Sequence, residues 1–350
     1  MVARVDFAIP GDLATLTGGY AYDRRIVAEL RQLGWEVGLI GLGDGFPRPS
    51  AAQREMARER LLAASDGRPI VIDGLAFGVL PEVAAALRHR RPVVALVHHP
   101  LASETGLSPR DVEQLHASER AALATTRLVI ATSEATADLL GTRLDVPRAR
   151  IEVVPPGTDR APFSAGSGDT EVHLLSVGAV GARKGFDLLI EALAPLADLP
   201  WRLTIAGDRA RDSAAVARLD AAIARHRLED RIDCPGAVSP QRLATLYGAA
   251  DLFVLASHFE GYGMAYAEAI AHGLPVIGTT GGAIPHTVPS SAGRLVAPGN
   301  VGELTQVLRD LIVSGGDRQA LAAGARAAAA SLPTWAESGA RFGRALQRLT

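Results

Sequence analysis

The chain has 350 residues, 36 of them basic and 38 acidic, for a formal charge of −2, and 48% are hydrophobic. That length fits two domains with sizeable cores, and that hydrophobic share excludes wholesale disorder. Near-neutral charge leaves no electrostatic footprint for nucleic acid, a single cysteine (Cys234) excludes a disulfide framework or cysteine-based metal cluster, and no apolar run approaches the ~18 residues that span a bilayer. Arg4 and Asp6 interrupt the short apolar start, which does not read as a secretory leader, so the expected location is the cytoplasm.

In the first half, short apolar runs alternate with helical patterns. Strands are expected over 2–9, 36–41, 70–73, 93–98, 128–132 and 151–154. Helices are expected over 21–33, 51–64, 81–89, from Pro109 onward, and over 134–144. In the first helix Ile26, Val27, Leu30 and Leu33 recur at helical spacing, and Gly34 stops it. Ser108 is a cap followed by a proline suited to the first turn, and Ser133 caps the helix over 134–144. Strands that are unbroken apolar runs, separated by helices, describe a parallel sheet covered on both faces. Arg88-His89-Arg90-Arg91 is the one basic cluster of note, and its place at a helix C-terminus makes it a complement to the helix dipole.

From Pro155-Pro156-Gly157 to Gly166-Ser167-Gly168 there is no apolar period, and the stretch reads as an interdomain linker. The second half repeats the alternation. Its strands are expected over 172–177, 202–206, 231–234, 252–255, 275–278 and 294–296. Its helices are expected over 186–196, 214–227, 241–249, 264–272, 301–314 and 318–330, with one more over 334–349. The expected division is a domain over 1–160, a linker at 161–170, a second domain over 171–332, and a terminal segment, 333–350, folding back on the first domain. The fold class is therefore α/β: two Rossmann-like, doubly wound parallel-sheet domains facing a central cleft, where ligands are expected.

Of the 36 basic residues only Lys184 is a lysine. Codon bias in a GC-rich genome accounts for the arginine excess, and it makes the one retained point charge a candidate for function. Two nucleotide fingerprints fail. Gly41-Leu42-Gly43-Asp44-Gly45-Phe46 lacks the third glycine where it is needed and no helix starts there. Lys184 lies between Arg183 and Gly185, whereas a Walker A loop needs Gly before its lysine and Ser or Thr after it. No Asp-x-Asp occurs, which removes the usual carboxylate pair for a metal-held diphosphate.

Three segments of the second half carry chemistry. In the first, over 176–186, a strand runs into a glycine-bearing loop and then a helix; amides and the helix start form an anion site to which Arg183 and Lys184 add charge. In the second, over 257–268, Gly261 and Gly263 permit close backbone approach, with Glu260 in the loop and Glu268 in the helix. Two such carboxylates can take one ligand from two sides and accept hydrogen bonds from sugar hydroxyls. Taken singly, Glu260 is equally a complement to the helix dipole and Glu268 a solvated helix residue. The third runs from an apolar strand into Gly281-Gly282, a turn that exposes amides and, seen alone, is equally a tight loop.

The pattern Glu260-Gly261-Tyr262-Gly263…Glu268, then Gly273-Leu274-Pro275-Val276, then Gly281-Gly282-x-x-Pro285 resembles the retaining glycosyltransferase family 4 of the GT-B fold, whose hallmark is a Glu-x7-Glu element. The resemblance covers most of the chain and is most specific in the second half. It implies a GT-B fold and a nucleotide-diphosphate-sugar co-substrate, UDP or GDP type, bound mainly by the second domain. By that resemblance Glu268 holds the ribose hydroxyls and Glu260 those of the donor sugar. Amides around Gly263 and Met264, beside Gly261 and Tyr262, meet sugar and phosphate, and Lys184 neutralises the diphosphate. In the first half Gly18-Gly19, after Thr17, match the family's glycine loop. His98, with His99 as the near rival, matches its histidine at a strand end. Two positions depart from the family: Ala179 stands where an arginine is common, with Arg183 the candidate substitute, and His286 stands where a glutamate is usual.

The expected activity is transfer of a sugar, with retention at the anomeric carbon, to an unidentified hydroxyl acceptor: a saccharide, lipid or natural product. Cations, amides and a helix start would stabilise the charge on the leaving diphosphate without a metal. First-domain loops, including 101–108, are expected to set the acceptor. Two other readings stay open, a nucleotide-sugar epimerase of the same architecture using His98 as acid or base, and a noncatalytic sugar-nucleotide-binding subunit. Intact Lys184, Glu260 and Glu268 argue against the latter. Many relatives glycosylate lipids, so a weak peripheral membrane contact is compatible with the resemblance; a nucleic-acid partner is not expected.

Overall fold

The computed structural model describes residues 2–15, 17–64 and 67–349. They divide into two units: the chain up to Gly157 together with the segment from Pro333 onward, and Thr158–Leu332. Among the described residues no helix is long and apolar enough to cross a membrane.

In the first unit the elements follow as β1 (Arg4–Ile9), α1 (Gly18–Gln32), β2 (Glu36–Gly41), α2 (Ala51–Ala63), β3 (Ile70–Asp73), α3 (Gly74–Phe77), α4 (Pro81–Leu87), β4 (Val93–Val97), α5 (Pro109–Leu123), β5 (Leu128–Ala131), α6 (Glu134–Leu144) and β6 (Ile151–Val153). The strands form one parallel sheet in the order β2-β1-β3-β4-β5-β6. Chain direction across the sheet switches between β1 and β3, the place where open α/β sheets bind ligands. Every residue of β3, β4 and β5 is buried, as continuous apolar strands between flanking helices must be. Helix α1 starts three residues before the sequence pattern, because the Thr17 hydroxyl accepts the Tyr20 N–H and so caps it. Gly18 and Gly19 thus form a first helical turn, not a free loop. A short α3 was not expected; Asp73 caps it, and one turn is too short to show a period.

Glu119 on α5 is a buried acid that holds the chain beyond β4. Its carboxylate accepts the Leu101 N–H at 2.9 Å, fixing the 3-10 turn Leu101–Ser103. Burial pushes this carboxyl up to about 8, against the partial pull of that N–H. The folded state therefore keeps a proton that the unfolded chain releases near its ordinary value of 4.5. The contribution is favourable below that value and is lost as pH rises toward 8. Glu119→Gln should flatten this slope, so that denaturant midpoints at about pH 5 and about pH 9 lie closer together than in the parent. An unchanged gap would mean that Glu119 ionises without cost.

The second unit runs β7 (Val172–Val177), α7 (Phe186–Leu193), β8 (Trp201–Ala206), α8 (Ser213–His226), β9 (Ile232–Gly236), α9 (Pro240–Ala249), β10 (Leu252–Val254), α10 (Met264–Ala271), β11 (Val276–Thr279), α11 (Ile284–Thr287), β12 (Gly293–Val296), α12 (Val301–Val313) and α13 (Gly315–Ala329). Its parallel sheet has the order β12-β11-β10-β7-β8-β9, with the switch between β7 and β10. The helix expected to reach 196 stops at Leu193 and tightens into a 3-10 turn, because Pro195 has no N–H to continue the ladder.

The Pro/Gly/Ser-rich stretch lies within the second unit from Thr158 onward. The Ser164 hydroxyl donates to the carbonyls of Gly248 and Ala250 at 2.9 and 2.8 Å, and the Ser167 hydroxyl to Asp251 at 2.7 Å. The end of α9 and the turn into β10 thus hold these two hydroxyls. The terminal helix α14 (Trp335–Gln347) belongs to the first unit. There Phe342 stacks on Phe7 of β1 at 5.6 Å, and the Ser338 hydroxyl donates to the Pro155 carbonyl at 2.7 Å.

Candidate active site

In the second unit, the loops after β7 and β10 meet at the switch point. The loop after β7 makes a 3-10 turn over Ala182–Lys184 and enters α7 through Gly185. The His258 N–H donates to the Arg183 carbonyl at 2.8 Å, tying the two loops together. Across that tie Lys184 Nζ lies 2.7 Å from Glu260 Oε1, and an Arg183 guanidinium nitrogen lies 3.0 Å from Glu260 Oε2. The Ser257 hydroxyl donates to Glu260 Oε1 at 2.7 Å. Burial pushes the Glu260 carboxyl up, but Lys184, Arg183 and the hydrogen bonds from Lys184 and Ser257 outweigh it and hold it down at about 2. The cluster of two cations and one carboxylate keeps one net positive charge beside the start of α7.

The Gly281-Gly282 segment closes on the same loop. The Ala283 N–H donates to the Glu260 carbonyl at 2.9 Å, and Glu260 and Gly282 form a parallel bridge. Gly282 has φ +62°, and a Cβ there would lie 2.3 Å from the Glu260 carbonyl oxygen, so only glycine fits. All three segments singled out in the sequence therefore converge.

Helix α10 opens at Met264 after Gly263, which has φ +92°. Glu268, one turn further on, is half-buried, not a solvated helix residue. It accepts the Tyr247 hydroxyl at 3.0 Å. Burial raises its carboxyl above the ordinary value, while Tyr247 and Lys184 pull it back. Tyr262 lies in the loop with its phenol raised to about 12 by burial, and its carbonyl accepts the Thr287 hydroxyl from α11. Ala179 is half-buried in the loop after β7, and His286 is exposed on α11. Arg183 donates to the Phe259 carbonyl as well as to Glu260, which anchors it on the β10 side of the switch.

In the first unit, His98 follows β4 directly. Its Nε2 faces Asp23 Oδ1 of α1 and Asp73 Oδ2 at the end of β3, each at 3.3 Å. Gly19 lies over the ring, where a Cβ would stand 3.5 Å from Cδ2 and Nε2. Two predicted residues, Gly19 and His98, are thus neighbours at the β1/β3 switch. His99 faces Glu104 at 3.7 Å instead. Sequence reasoning missed Asp23 and Asp73. Asp23 had a signal: it shares the stripe of Ile26, Val27 and Leu30, and a carboxylate on a buried helical face needs a partner.

Residues 158–328 match the family described as Glycosyl transferases group 1, and residues 21–161 match Glycosyltransferase Family 4. D-inositol 3-phosphate glycosyltransferase of Xylanimonas cellulosilytica is 33% identical over 263 residues. That match takes in 67% of this chain but 62% of the relative, less than two thirds of its length. Among solved structures, sucrose-phosphate synthase of Thermosynechococcus elongatus aligns with a TM-score of 0.84 at 21% identity, over 99% of both chains. Anabaena HepE in complex with UDP and glucose aligns with a TM-score of 0.78 at 19% identity, over 98% of this chain and 99% of that one. At such identities the two structures speak for the fold.

Proposed function

The chain belongs to the family 4-like GT-B glycosyltransferases, and from that premise we propose that it moves a sugar from a nucleotide-diphosphate-sugar, UDP or GDP type, to a hydroxyl acceptor with retention at the anomeric carbon. What carries this reading is the net-positive cluster of Lys184, Arg183 and Glu260 at the β7/β10 switch. A similar fold in HepE holds UDP and glucose, which supports the donor class.

As the bond from the anomeric carbon to the diphosphate breaks, negative charge grows on the β-phosphate oxygen. Lys184 and Arg183, already placed by Glu260, meet that charge without reorganising. Side chains thus supply the counter-charge and the reading requires no metal. The leaving phosphate takes the acceptor's proton on the same face of the sugar, so no side chain need become a covalent nucleophile. Glu260 chiefly orients the two cations, because three donors already occupy its oxygens; a remaining lone pair is left for a sugar hydroxyl. Amides around Gly261, Tyr262, Gly263 and Met264 receive sugar and phosphate at the start of α10. By the family resemblance Gly18 and Gly19 are assigned to the donor phosphates and acceptor, and His98 to the donor sugar. We assign the reaction to the cytoplasm, as the sequence reading expects.

Glu268 is assigned to the ribose hydroxyls, with Tyr247 fixing its carboxylate. Glu268→Ala should weaken nucleotide binding by about 10- to 100-fold, the size of lost hydrogen bonds to a charged group. Titration calorimetry with UDP and GDP measures this, and an unaltered dissociation constant would remove Glu268 from that role.

The function itself is tested by a thermal-shift panel of sugar nucleotides followed by NMR of products made with the strongest binder. A new glycoside with the donor's anomeric configuration is the expected result. An inverted anomer would overturn retention. A donor sugar changed at a ring carbon without any acceptor would mark an epimerase instead.

A further inference from the structure

Asp23, Asp73 and His98 form a buried polar centre whose make-up is unusual: one ring nitrogen faces two carboxylates. The Asp23 side chain is 1% exposed and that of Asp73 2%. Neither Asp23 oxygen, nor His98 Nε2, makes a well-aligned hydrogen bond among the described residues, so the three groups meet as close charges at 3.3 Å. Asp73 is partly engaged, since its Oδ1 accepts the Leu75 N–H at 2.8 Å. Burial pushes the Asp23 carboxyl up to about 6 against the pull of His98, with Asp73 adding to the rise; above that value both acids are charged and need a cation between them. Among the described residues, the groups acting on the ring include no other cation. From α1 come Asp23 and Tyr22, the latter edge-on at 5.4 Å and donating its hydroxyl to the Val154 carbonyl. Burial, first, and then Asp23 raise that phenol well above its ordinary range, so it stays neutral. From the end of β3 comes Asp73. From the β5–α6 side the Thr132 and Thr136 hydroxyls donate to the His98 carbonyl at 3.0 and 3.4 Å and fix the residue's backbone.

We infer that Asp23 and Asp73 are positioning residues that hold His98 as a doubly protonated imidazolium, making its second ring nitrogen, Nδ1, a standing hydrogen-bond donor to a hydroxyl or phosphoryl oxygen of the sugar nucleotide. A neutral ring with its proton on Nε2 would present Nδ1 as an acceptor; the charged ring presents a donor. Burial drives the ring toward neutral, yet the two carboxylates facing Nε2, Asp23 and Asp73, carry it up to about 10. With 18% of the side chain still exposed, the ring can reach a ligand while Nε2 remains buried against the acids.

The use of Nδ1 rests on the proposed transfer reading, but the charge state is measurable without substrate. Long-range 1H–15N NMR of the ring nitrogens in the full chain, from about pH 5 to about pH 9, should show His98 doubly protonated beyond pH 8, where an unperturbed histidine near 6.5 has titrated. Asp23→Asn and Asp73→Asn should each lower the His98 midpoint by one pH unit or more. Both are isosteric, and asparagine at 73 still caps α3. A parent midpoint near the ordinary value, or a midpoint that neither variant moves, overturns the inference. In the transfer assay Asp73→Asn should lose about tenfold in kcat above the shifted midpoint and recover below it, which a packing defect would not do. A persistent imidazolium in a chain that transfers no sugar would overturn the transfer reading and leave the positioning role standing.

Discussion

Lys184→Ala should lower kcat by about 100- to 1000-fold, the scale seen when one preorganised donor to a developing anion is removed, while leaving the second unit folded. Its ammonium supplies half of the cationic charge on Glu260, and the cluster's net charge falls from one positive to neutral when it is lost. Folding suffers less, because Glu260 keeps Arg183 and the Ser257 hydroxyl as partners. Lys184→Arg should recover only part of the rate, since a planar guanidinium does not reproduce a compact ammonium beside Arg183. The test is kcat with the preferred donor alongside a denaturation curve. Turnover within a few-fold of the parent would take Lys184 out of catalysis. Glu260, held at about 2, stays ionised across the working range, so it should contribute no inflection to the pH–rate profile. Its stabilising effect is present above the ordinary 4.5 and is lost only as pH falls through that depressed value.

Gly207→Ala should damage stability and turnover together. Gly207 follows β8, and a Cβ there would lie 1.8 Å from the Gly178 carbonyl oxygen and 2.4 Å from its carbon. Both obstacles are backbone, so no side chain can swing away. The ends of β7 and β8 must part, carrying the loop that bears Lys184. We expect a loss of about 3 kcal/mol, the upper end for forcing atoms into a filled interior. We also expect a fall of about 100-fold in kcat from a displacement on the order of 1 Å at the cation. Gly248→Ala is the control: it lies on α9 with nothing within 4 Å of its added methyl. It should be neutral or stabilising by about 0.5–1 kcal/mol, as for glycine replaced within a helix. Denaturant midpoints and kcat for both variants decide the matter. A Gly207→Ala chain as stable and active as the parent would mean that this contact does not set the position of Lys184.

Much of the architecture was legible from patterns with a local cause. Apolar runs the length of a strand, separated by helical periods, required parallel sheets covered on both faces, and the two six-stranded sheets follow that alternation. The caps at Ser108 and Ser133 are likewise local, each hydroxyl accepting an N–H three residues on. Lys184, Glu260 and Gly281-Gly282 stood out because a lone lysine, a carboxylate beside glycines and a Gly-Gly turn each announce themselves within a few residues. Where they would meet was not local. Lys184 and Glu260 are 76 positions apart, and only the strand order, with β7 beside β10, brings their loops into contact. The same holds for Asp23, Asp73 and His98, which converge from α1, β3 and the end of β4. Periodicity states which side of a helix is buried but not which group lies opposite. Burial without a known partner leaves a carboxylate's charge undecided, and the pairing made by the tertiary structure decides it.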